Sequence, residues 1–164
     1  MMGAGHPRSD RICEIEQFLF RVARLEDDHE YERWEELWTD DGVYWVPANG
    51  EDTDPEKMMS IIYDNRSRIG LRVRQLLSGK RYTQEPRSSL RRIIGNVEIV
   101  GEDGDNTRVN ANSIIFETNQ RGDTMWASRN EYVVRRVDGA LRLAYKKVVL
   151  ANNDRSIPTM SFLV

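Results

Sequence analysis

The chain has 164 residues, of which 39% are hydrophobic and 31% charged, with a formal net charge of -3. That length fits one compact domain, and that charge gives no overall drive towards nucleic acid or anionic membranes. One cysteine and two histidines are too few to build a Cys/His zinc site or to ligate an iron–sulfur cluster unaided. No apolar run approaches the ~20 residues that span a bilayer, and the N-terminus lacks the apolar core of a signal peptide. These features predict a cytoplasmic chain without a metal or cofactor of its own.

The first part of the chain carries apolar residues at helical spacing. We predict a loose lead-in over residues 1–10 and a single domain over residues 11–164. Asp10 is the predicted N-cap of an amphipathic helix that runs to about Leu25. A shorter helical segment follows over residues 29–39 and should end at Asp40-Asp41-Gly42. The next residues, Val43 to Val46, predict a first strand that Pro47 stops.

A second long helix is predicted between Pro55 and Leu77. Pro55 suits a helix start and Ser78-Gly79 suits a helix end, with apolar residues three or four apart between them. Gly70 lies inside this helix and costs about 1 kcal/mol of helix propensity relative to alanine. We therefore expect either a kink or a closely packed neighbour at Gly70.

The pattern changes from helical to alternating within residues 82–97. Pro86 removes a backbone donor there, so a helix should not continue through it. Strands are predicted over residues 96–100, 107–118, 124–137 and 141–150, with a last short strand over residues 159–164. A type I′ turn is predicted at Asp138-Gly139. Ile114 and Phe116 add apolar residues to the second face of the 107–118 strand, which predicts that this end is covered on both sides.

Helices followed by an antiparallel meander define an α+β layout. Long, twisted strands that curl around a long helix predict a cone, in which a curved, mainly antiparallel sheet wraps around the N-terminal helices. In such a fold the acidic segment 26–41 and the basic segment 66–92 should lie near each other. We therefore expect ion pairs within or between subunits rather than binding to nucleic acid phosphates.

A carboxylate inside such a cone could act as a general base. Asp41 is the candidate, with His29 or Tyr31 as its helper and aromatic surroundings that raise its pKa. Because no second acid or base stands at a telling spacing, we favour the simpler interpretation that Asp40-Asp41-Gly42 is a turn and that the aromatic residues form core. A stand-alone isomerase or dehydratase with Asp41 as base remains the alternative.

Three segments together resemble one protein family. They are ARLEDDHEYERWEELWTDDGVYWVP at residues 23–47, IIYDNRSRIGLRVRQLLSGKRYTQEPRSSLRRIIGNVEI at residues 61–99 and LRLAYKKVVLAN at residues 141–152. In this order they resemble the small (beta) subunit of bacterial aromatic-ring-hydroxylating dioxygenases, and the likeness runs from about residue 15 to residue 164. Gly95 stands where that family commonly has Ser, which leaves the subfamily open, although the middle segment is closer to benzoate-type enzymes.

The resemblance implies a nuclear-transport-factor-2-like cone and an assembly of three large and three small subunits. In that family the large (alpha) subunit carries the Rieske iron–sulfur cluster and a mononuclear iron, and it binds the arene. Electrons come from NADH through a reductase, sometimes by way of a ferredoxin. The enzyme adds both oxygen atoms of O2 to an aromatic ring, giving a cis-dihydrodiol. The small subunit has no known catalytic residues and mainly scaffolds the assembly.

The scaffold hypothesis predicts which side chains face partner chains. Protein interfaces favour aromatic residues and arginine over lysine, and only four of the 24 basic residues of this chain are lysines. We predict that the following residues are exposed and face the large subunit or other small subunits: Trp45, Tyr82, Arg87, Arg91, Arg92, Trp126 and Arg129. Replacing Arg87 and Arg92 together should then loosen the assembly without affecting the fold.

Overall fold

The computed structural model describes residues 7–48, 50, 54–78, 87–151 and 162–164, except the side chains of residues 7 and 8. Its elements in chain order are α1 (Pro7–Asp27), α2 (Tyr31–Glu36), β1 (Trp38–Pro47), β2 (Ser60–Asp64), α3 (Arg66–Leu77), β3 (Ser89–Asp103), β4 (Asn106–Asn119), β5 (Gly122–Val137) and β6 (Ala140–Leu150). Over these ranges no helix combines the length and the apolar character needed to cross a bilayer.

The six strands form one open sheet in the order β2-β1-β6-β5-β4-β3. Neighbouring strands are antiparallel except β1 and β6, which are parallel. Along β4, buried residues such as Val109 and Ile115 alternate with more exposed ones, so the sheet has an inner and an outer face. Ile15 and Leu19 of α1 belong to the same core as the inner face. The predicted α+β cone, with N-terminal helices inside a curved sheet, is confirmed.

The second half of the sheet follows the predicted strands closely. β4 and β5 differ from the predicted ranges by at most two residues at each end. The hairpin between β5 and β6 turns at Asp138 and Gly139, whose φ angles are 50° and 81°. Positive φ at both central residues is the mark of a type I′ turn, so that prediction is confirmed.

The helix predicted from residue 55 to residue 77 is wrong in its first half. Ser60–Asp64 forms β2, which pairs with β1. The helix α3 begins only after Asn65, whose side-chain oxygen accepts a hydrogen bond of 3.0 Å from the backbone N–H of Arg68. This cap fixes the helix start. Met59, one of the apolar positions that favoured a longer helix, is 76% exposed.

Two boundaries near the N-terminus also differ from the prediction. The helix α1 begins at Pro7, so Asp10 lies in its first turn instead of capping it. β1 begins at Trp38, and the predicted turn Asp40-Asp41-Gly42 lies inside this strand. The pairing of β1 with β6 shifts register between Trp38 and Val43. Because a bulge can accommodate extra residues in a strand, the strand continues through the segment that was predicted to end it.

Gly70 lies where α3 packs against the side chain of Glu35 on α2. A Cβ atom on Gly70 would lie 2.8 Å from Oε1 of Glu35, so a larger residue there would require the Glu35 side chain to move. The same Glu35 oxygen pairs with Arg66 at 2.9 Å. The expectation of a closely packed neighbour at Gly70 is confirmed, and so is the expectation that the acidic and basic segments pair.

β3 is longer than the predicted strand, since it begins at Ser89 instead of Asn96. Tyr82 and Pro86 lie outside the described residues. Of the predicted last strand, the structure describes residues 162–164, which are not in a strand.

Candidate functional site

A cluster of buried charges lies inside the cone, where the end of α1 meets β6 and β3. Nζ of Lys146 lies 2.9 Å from Oε2 of Glu26, and both side chains are 2% exposed. Arg92 is equally buried and approaches the same carboxylate at 3.5 Å. Its Nε donates to Oδ1 of Asp27 at 2.6 Å, and its backbone N–H donates to Oδ2 at 2.9 Å. Two carboxylates therefore balance two cations, the condition under which buried charges are tolerated.

The two cations respond differently to this environment. Burial lowers the pKa of Lys146, because it disfavours the charged ammonium group, and Glu26 opposes that shift. Burial acts in the same direction on Arg92, but Glu26 and Asp27 outweigh it and raise the pKa of the guanidinium group. Arg92 therefore stays charged and acts as the fixed cation of the cluster.

Residues 162–164 close the cone over these charges. Nζ of Lys146 donates to the carbonyl oxygen of Val164 at 2.8 Å, and Nη2 of Arg92 donates to the carbonyl oxygen of Leu163 at 2.9 Å. All three residues of the segment are buried and belong to the hydrophobic core. The chain itself therefore fills the space above the charged cluster.

Aromatic side chains fill the neighbouring part of the interior. The ring of Trp34 meets those of Trp38 and Tyr44 edge to face, at centroid distances of 5.5 and 5.9 Å. The Tyr44 hydroxyl donates to the carbonyl oxygen of Val164 at 2.7 Å and accepts from its N–H at 3.1 Å. The interpretation of these aromatic residues as core is confirmed.

Asp41, the candidate base of the alternative hypothesis, lies on the surface. Its side chain is 66% exposed and pairs with Arg135 at 2.8 Å. Hydrogen bonds from Arg135 and from the Thr39 hydroxyl lower the pKa of Asp41. A general base that works near neutral pH needs the opposite shift. The premise of a buried Asp41 with a raised pKa is therefore wrong.

His29 and Tyr31 belong to a different network at the start of β3. Nδ1 of His29 lies 2.5 Å from the Tyr31 hydroxyl, and Nε2 lies 2.9 Å from the carbonyl oxygen of Ser88. We assign the Nε2–H tautomer, because a carbonyl oxygen can only accept. The Ser88 hydroxyl donates in turn to Glu117 at 2.6 Å, and burial raises the pKa of Tyr31. These contacts do not bring His29 or Tyr31 together with Asp41.

The predicted interface residues that the structure describes divide into two groups. Arg87, Arg91 and Arg129 are exposed, as predicted. Tyr82 lies outside the described residues. The other three predicted residues, which are covered by their own chain, are Trp45, Arg92 and Trp126.

The expectation that those three residues are exposed is therefore wrong. Nζ of Lys147 lies 4.5 Å from the centre of the Trp45 ring and shields it. Nε1 of Trp126 donates to Glu117 at 3.2 Å on the inner face of the sheet. Arg92 belongs to the buried ion cluster, so its replacement together with Arg87 should damage the fold as well as any interface.

An apolar surface on the outer face of β3, β4 and β5 was not predicted. Its members are Ile93, Ile114, Phe116 and Met125, which are 74%, 47%, 43% and 62% exposed, and we call them the outer patch. Strand register sets Ile93 opposite Ile114 and Phe116 opposite Met125. The expected cover over Ile114 and Phe116 is absent from the described part of this chain. Apolar residues on both faces of one strand were the signal that could have located this surface.

The described residues offer few ligands for a metal ion. Within them no group of three or more His, Cys, Asp or Glu side chains is placed to hold one. Cys13 is a single exposed thiol on α1. Both ring nitrogens of His29 already have hydrogen-bond partners. This part of the chain thus has no ligand set for the iron centres that the resemblance assigns to the large subunit.

Comparisons with known proteins give the same family along most of the chain. The family model described as ring hydroxylating beta subunit matches residues 21–155. The small subunit of 2-halobenzoate 1,2-dioxygenase from Burkholderia cepacia is 30% identical over 146 residues, 85% of this chain and 88% of that protein. The small oxygenase component of the p-cumate 2,3-dioxygenase system from Pseudomonas putida is 26% identical over 139 residues, 84% and 77% of the two chains.

A solved structure supports this result at the level of the fold. The beta subunit of benzoate 1,2-dioxygenase from Burkholderia mallei ATCC 23344 matches with a TM-score of 0.77 and 25% sequence identity. The match covers 92% of this chain and 96% of that one. Sequence and fold therefore agree over nearly the same extent.

Proposed function

The chain belongs to the ring-hydroxylating dioxygenase beta-subunit family, and from this premise we propose that it is a non-catalytic scaffold subunit. In this proposal three copies join three large (alpha) subunits in the cytoplasm. The large subunit carries the Rieske cluster and the mononuclear iron, and it receives NADH-derived electrons through a reductase, with or without a ferredoxin. The assembled enzyme adds both atoms of O2 to an aromatic ring and releases a cis-dihydrodiol.

The observation that carries the non-catalytic part of the proposal is the state of the cone interior. A catalytic acid or base must reach the substrate. Glu26, Lys146 and Arg92 instead bind one another, and the two cations also donate to the carbonyl groups of Leu163 and Val164. Removing one partner from such a cluster leaves a buried charge without its counterion. Asp41, exposed and with a lowered pKa, is a poor replacement.

Aromatic carboxylic acids are the substrate class that we propose for the assembled enzyme. The two curated relatives belong to systems named for 2-halobenzoate and p-cumate. The solved relative belongs to a benzoate dioxygenase. All three names describe a ring that carries a carboxylate, so a screen should begin with substituted benzoates.

The first test is to purify the tagged chain from its native host and to measure subunit masses and the absorption spectrum. We expect a larger partner in equal amount, visible iron–sulfur absorption, and turnover of an aromatic acid when NADH and the reductase are supplied. Asp41→Asn should leave partner, spectrum and turnover unchanged, whereas the stand-alone isomerase or dehydratase would lose its activity. A colourless chain that purifies only with itself would overturn the proposal.

A further inference from the structure

A cavity of about 610 Å³ lies where β1 begins, beside the hairpin that joins β5 to β6. The register shift between Trp38 and Val43 leaves residues 39–42 of β1 without paired partners on β6 at this point. Side chains from β1, β5, the hairpin turn and β6 line the space, and we call it the hairpin cavity. Its volume lies within the roughly 300–1,000 Å³ range of sites that bind small molecules.

One wall of the hairpin cavity is fixed by hydrogen bonds within the chain. Nη1 of Arg135 lies 2.8 Å from Oδ1 of Asp41, and Nε of Arg135 donates to the side chain of Asn106 at 2.7 Å. The Thr39 hydroxyl donates to the same Asp41 oxygen at 2.8 Å. Asp41 and Arg135 therefore neutralise each other, and the charges that a ligand would meet come from other residues of the lining.

Three further charged groups line the hairpin cavity without an opposite charge bound to them. Nη1 of Arg142 donates to the carbonyl oxygen of Glu36 at 2.7 Å, and among the described residues no carboxylate pairs with this guanidinium group. Asp40 and Asp138 are exposed, and neither carboxylate has a hydrogen bond or an ion pair within that part of the chain. The unpaired set is thus one cation and two anions.

Buried N–H groups without partners also mark this place. Across the described residues, three buried side-chain donors have no acceptor, and two of them belong to residues that line the hairpin cavity. They are Nε1 of Trp38, whose residue is 2% exposed, and Nε of Arg142. Such donors are uncommon in proteins and require an explanation. Their position beside one cavity favours a bound molecule that carries acceptor atoms.

A molecule that carries both charges complements this arrangement. Its carboxylate can accept from Arg142, because hydrogen bonds between ionised groups are stronger than those between neutral ones. Its ammonium group can pair with Asp40 or Asp138. A simple anion is less suitable because the two aspartates repel it, and a simple cation leaves Arg142 unpaired. Amino acids combine the two required groups in one small molecule.

We propose that the hairpin cavity binds amino acids, with the carboxylate at Arg142 and the ammonium group at Asp40 or Asp138. The second aspartate is then left to pair with a cationic side chain, so lysine should bind more tightly than norleucine. This inference goes beyond the proposed function and does not depend on it.

The test is an NMR titration of the isotope-labelled chain, followed at the indole N–H resonances of its tryptophans. Norleucine is the first probe, because it carries both charges and an apolar side chain. Hexanoate and pentylamine are the matched controls, since each keeps only one of the two charges. The Trp38 resonance should shift and saturate at millimolar norleucine, whereas that of Trp126, near the other end of β5, should not move. Each control should bind about tenfold more weakly than norleucine.

Substitutions at the charged lining residues test the assigned roles. Arg142→Gln should weaken norleucine binding by about tenfold, whereas Arg142→Lys, which keeps the charge, should retain most of it. The double variant Asp40→Asn, Asp138→Asn should bind norleucine no better than hexanoate. Asparagine suits position 138, where φ is 50°. The control Asp103→Asn changes an exposed acid at the end of β3 and should leave the affinity unchanged.

The outcomes decide the inference without reference to the large subunit. A saturable shift of Trp38 that Arg142→Gln and the double aspartate variant both weaken would support it. A Trp38 resonance that does not respond to norleucine or lysine throughout the millimolar range would overturn it. Equal affinities for norleucine and hexanoate, or for the wild type and Arg142→Gln, would overturn it as well. Recovery of an iron–sulfur partner tests the proposed function separately.

Discussion

The cone interior buries charged side chains, whereas the outer patch exposes apolar ones to solvent. Inside, the carboxylate of Glu26 and the ammonium group of Lys146 lie within the core, each 2% exposed. Outside, Ile93 and Met125 are 74% and 62% exposed. The interior charges have partners in the same chain, whereas the apolar side chains outside have no cover in the described residues. The charges of the interior are therefore satisfied within the chain, whereas the outer patch is a candidate surface for contact with another molecule.

Removing a charge from the interior should have the largest effect. In Lys146→Ala, Glu26 keeps only the longer contact to Arg92, so we expect the free energy of unfolding to fall by about 3–5 kcal/mol. The control is Lys57→Ala, whose side chain is 81% exposed and which should change stability by less than about 0.5 kcal/mol. Urea unfolding measures both. A loss below about 1 kcal/mol for Lys146→Ala would contradict the role given to the cluster.

Shortening a side chain within residues 162–164 should have the second-largest effect on the free energy of unfolding. Leu163 is 1% exposed, so Leu163→Ala should cost about 3 kcal/mol of unfolding free energy. Leu71→Ala is the matched control, because Leu71 is 49% exposed on α3. Thermal or urea unfolding of the two variants compares them directly. Equal stabilities would mean that residues 162–164 are not part of the core.

Alkaline pH should lower the free energy of unfolding by a smaller amount than either substitution. Tyr132 is buried on the inner face, its hydroxyl accepts from Asn130 at 2.9 Å, and burial raises its pKa. Above pH ~10 the unfolded chain loses this phenolic proton while the folded chain keeps it, so the stabilising contribution, complete below pH ~10, decreases as pH rises. At pH ~11 the resulting loss of unfolding free energy is about 1.4 kcal/mol.

Tyr132→Phe isolates this effect. Unfolding free energies measured between pH 9 and 11 should fall less steeply in the variant than in the wild type. The slope is the diagnostic quantity, since the variant also loses the hydrogen bond to Asn130 at every pH. Equal slopes of unfolding free energy against pH in the two proteins would contradict a raised pKa for Tyr132 in the folded chain.

Changes on the outer patch should have the smallest effect on the chain itself. Met125→Ala and Phe116→Ala remove side chains that are 62% and 43% exposed, so each should change the unfolding free energy of the monomer by about 0.5 kcal/mol or less. The measurement needs a dilute sample in which the chain is monomeric. A loss of more than about 2 kcal/mol would place these residues in the core instead.

The sequence predicted strands β4, β5 and β6 more accurately than the elements that precede them. β4, β5 and β6 alternate clearly and meet at turn residues, so periodicity alone locates them. β2 was missed because Ile62 fits a helical spacing with its neighbours as well as a strand. Pairing with β1, which sequence periodicity does not report, decides between the two.

Side-chain burial was the harder part of the site to predict. Arg92 looks like a surface arginine in the sequence, and only its contact with Asp27, 65 residues earlier, places it inside. Asp41 looked like a base beside aromatic residues, yet Arg135, 94 residues later, holds it at the surface. Such long-range pairings depend on the tertiary fold, which local spacing does not encode.

The hydrogen bond from the Arg92 backbone to Asp27 occupies part of the β3 edge of the sheet. β3 is the last strand of the sheet, and unpaired N–H groups on such a strand can recruit strands from other chains. Asp27 occupies the N–H of Arg92, and His29 occupies the carbonyl oxygen of Ser88 just before the strand. These two contacts make the start of β3 less available for pairing with a strand of another chain.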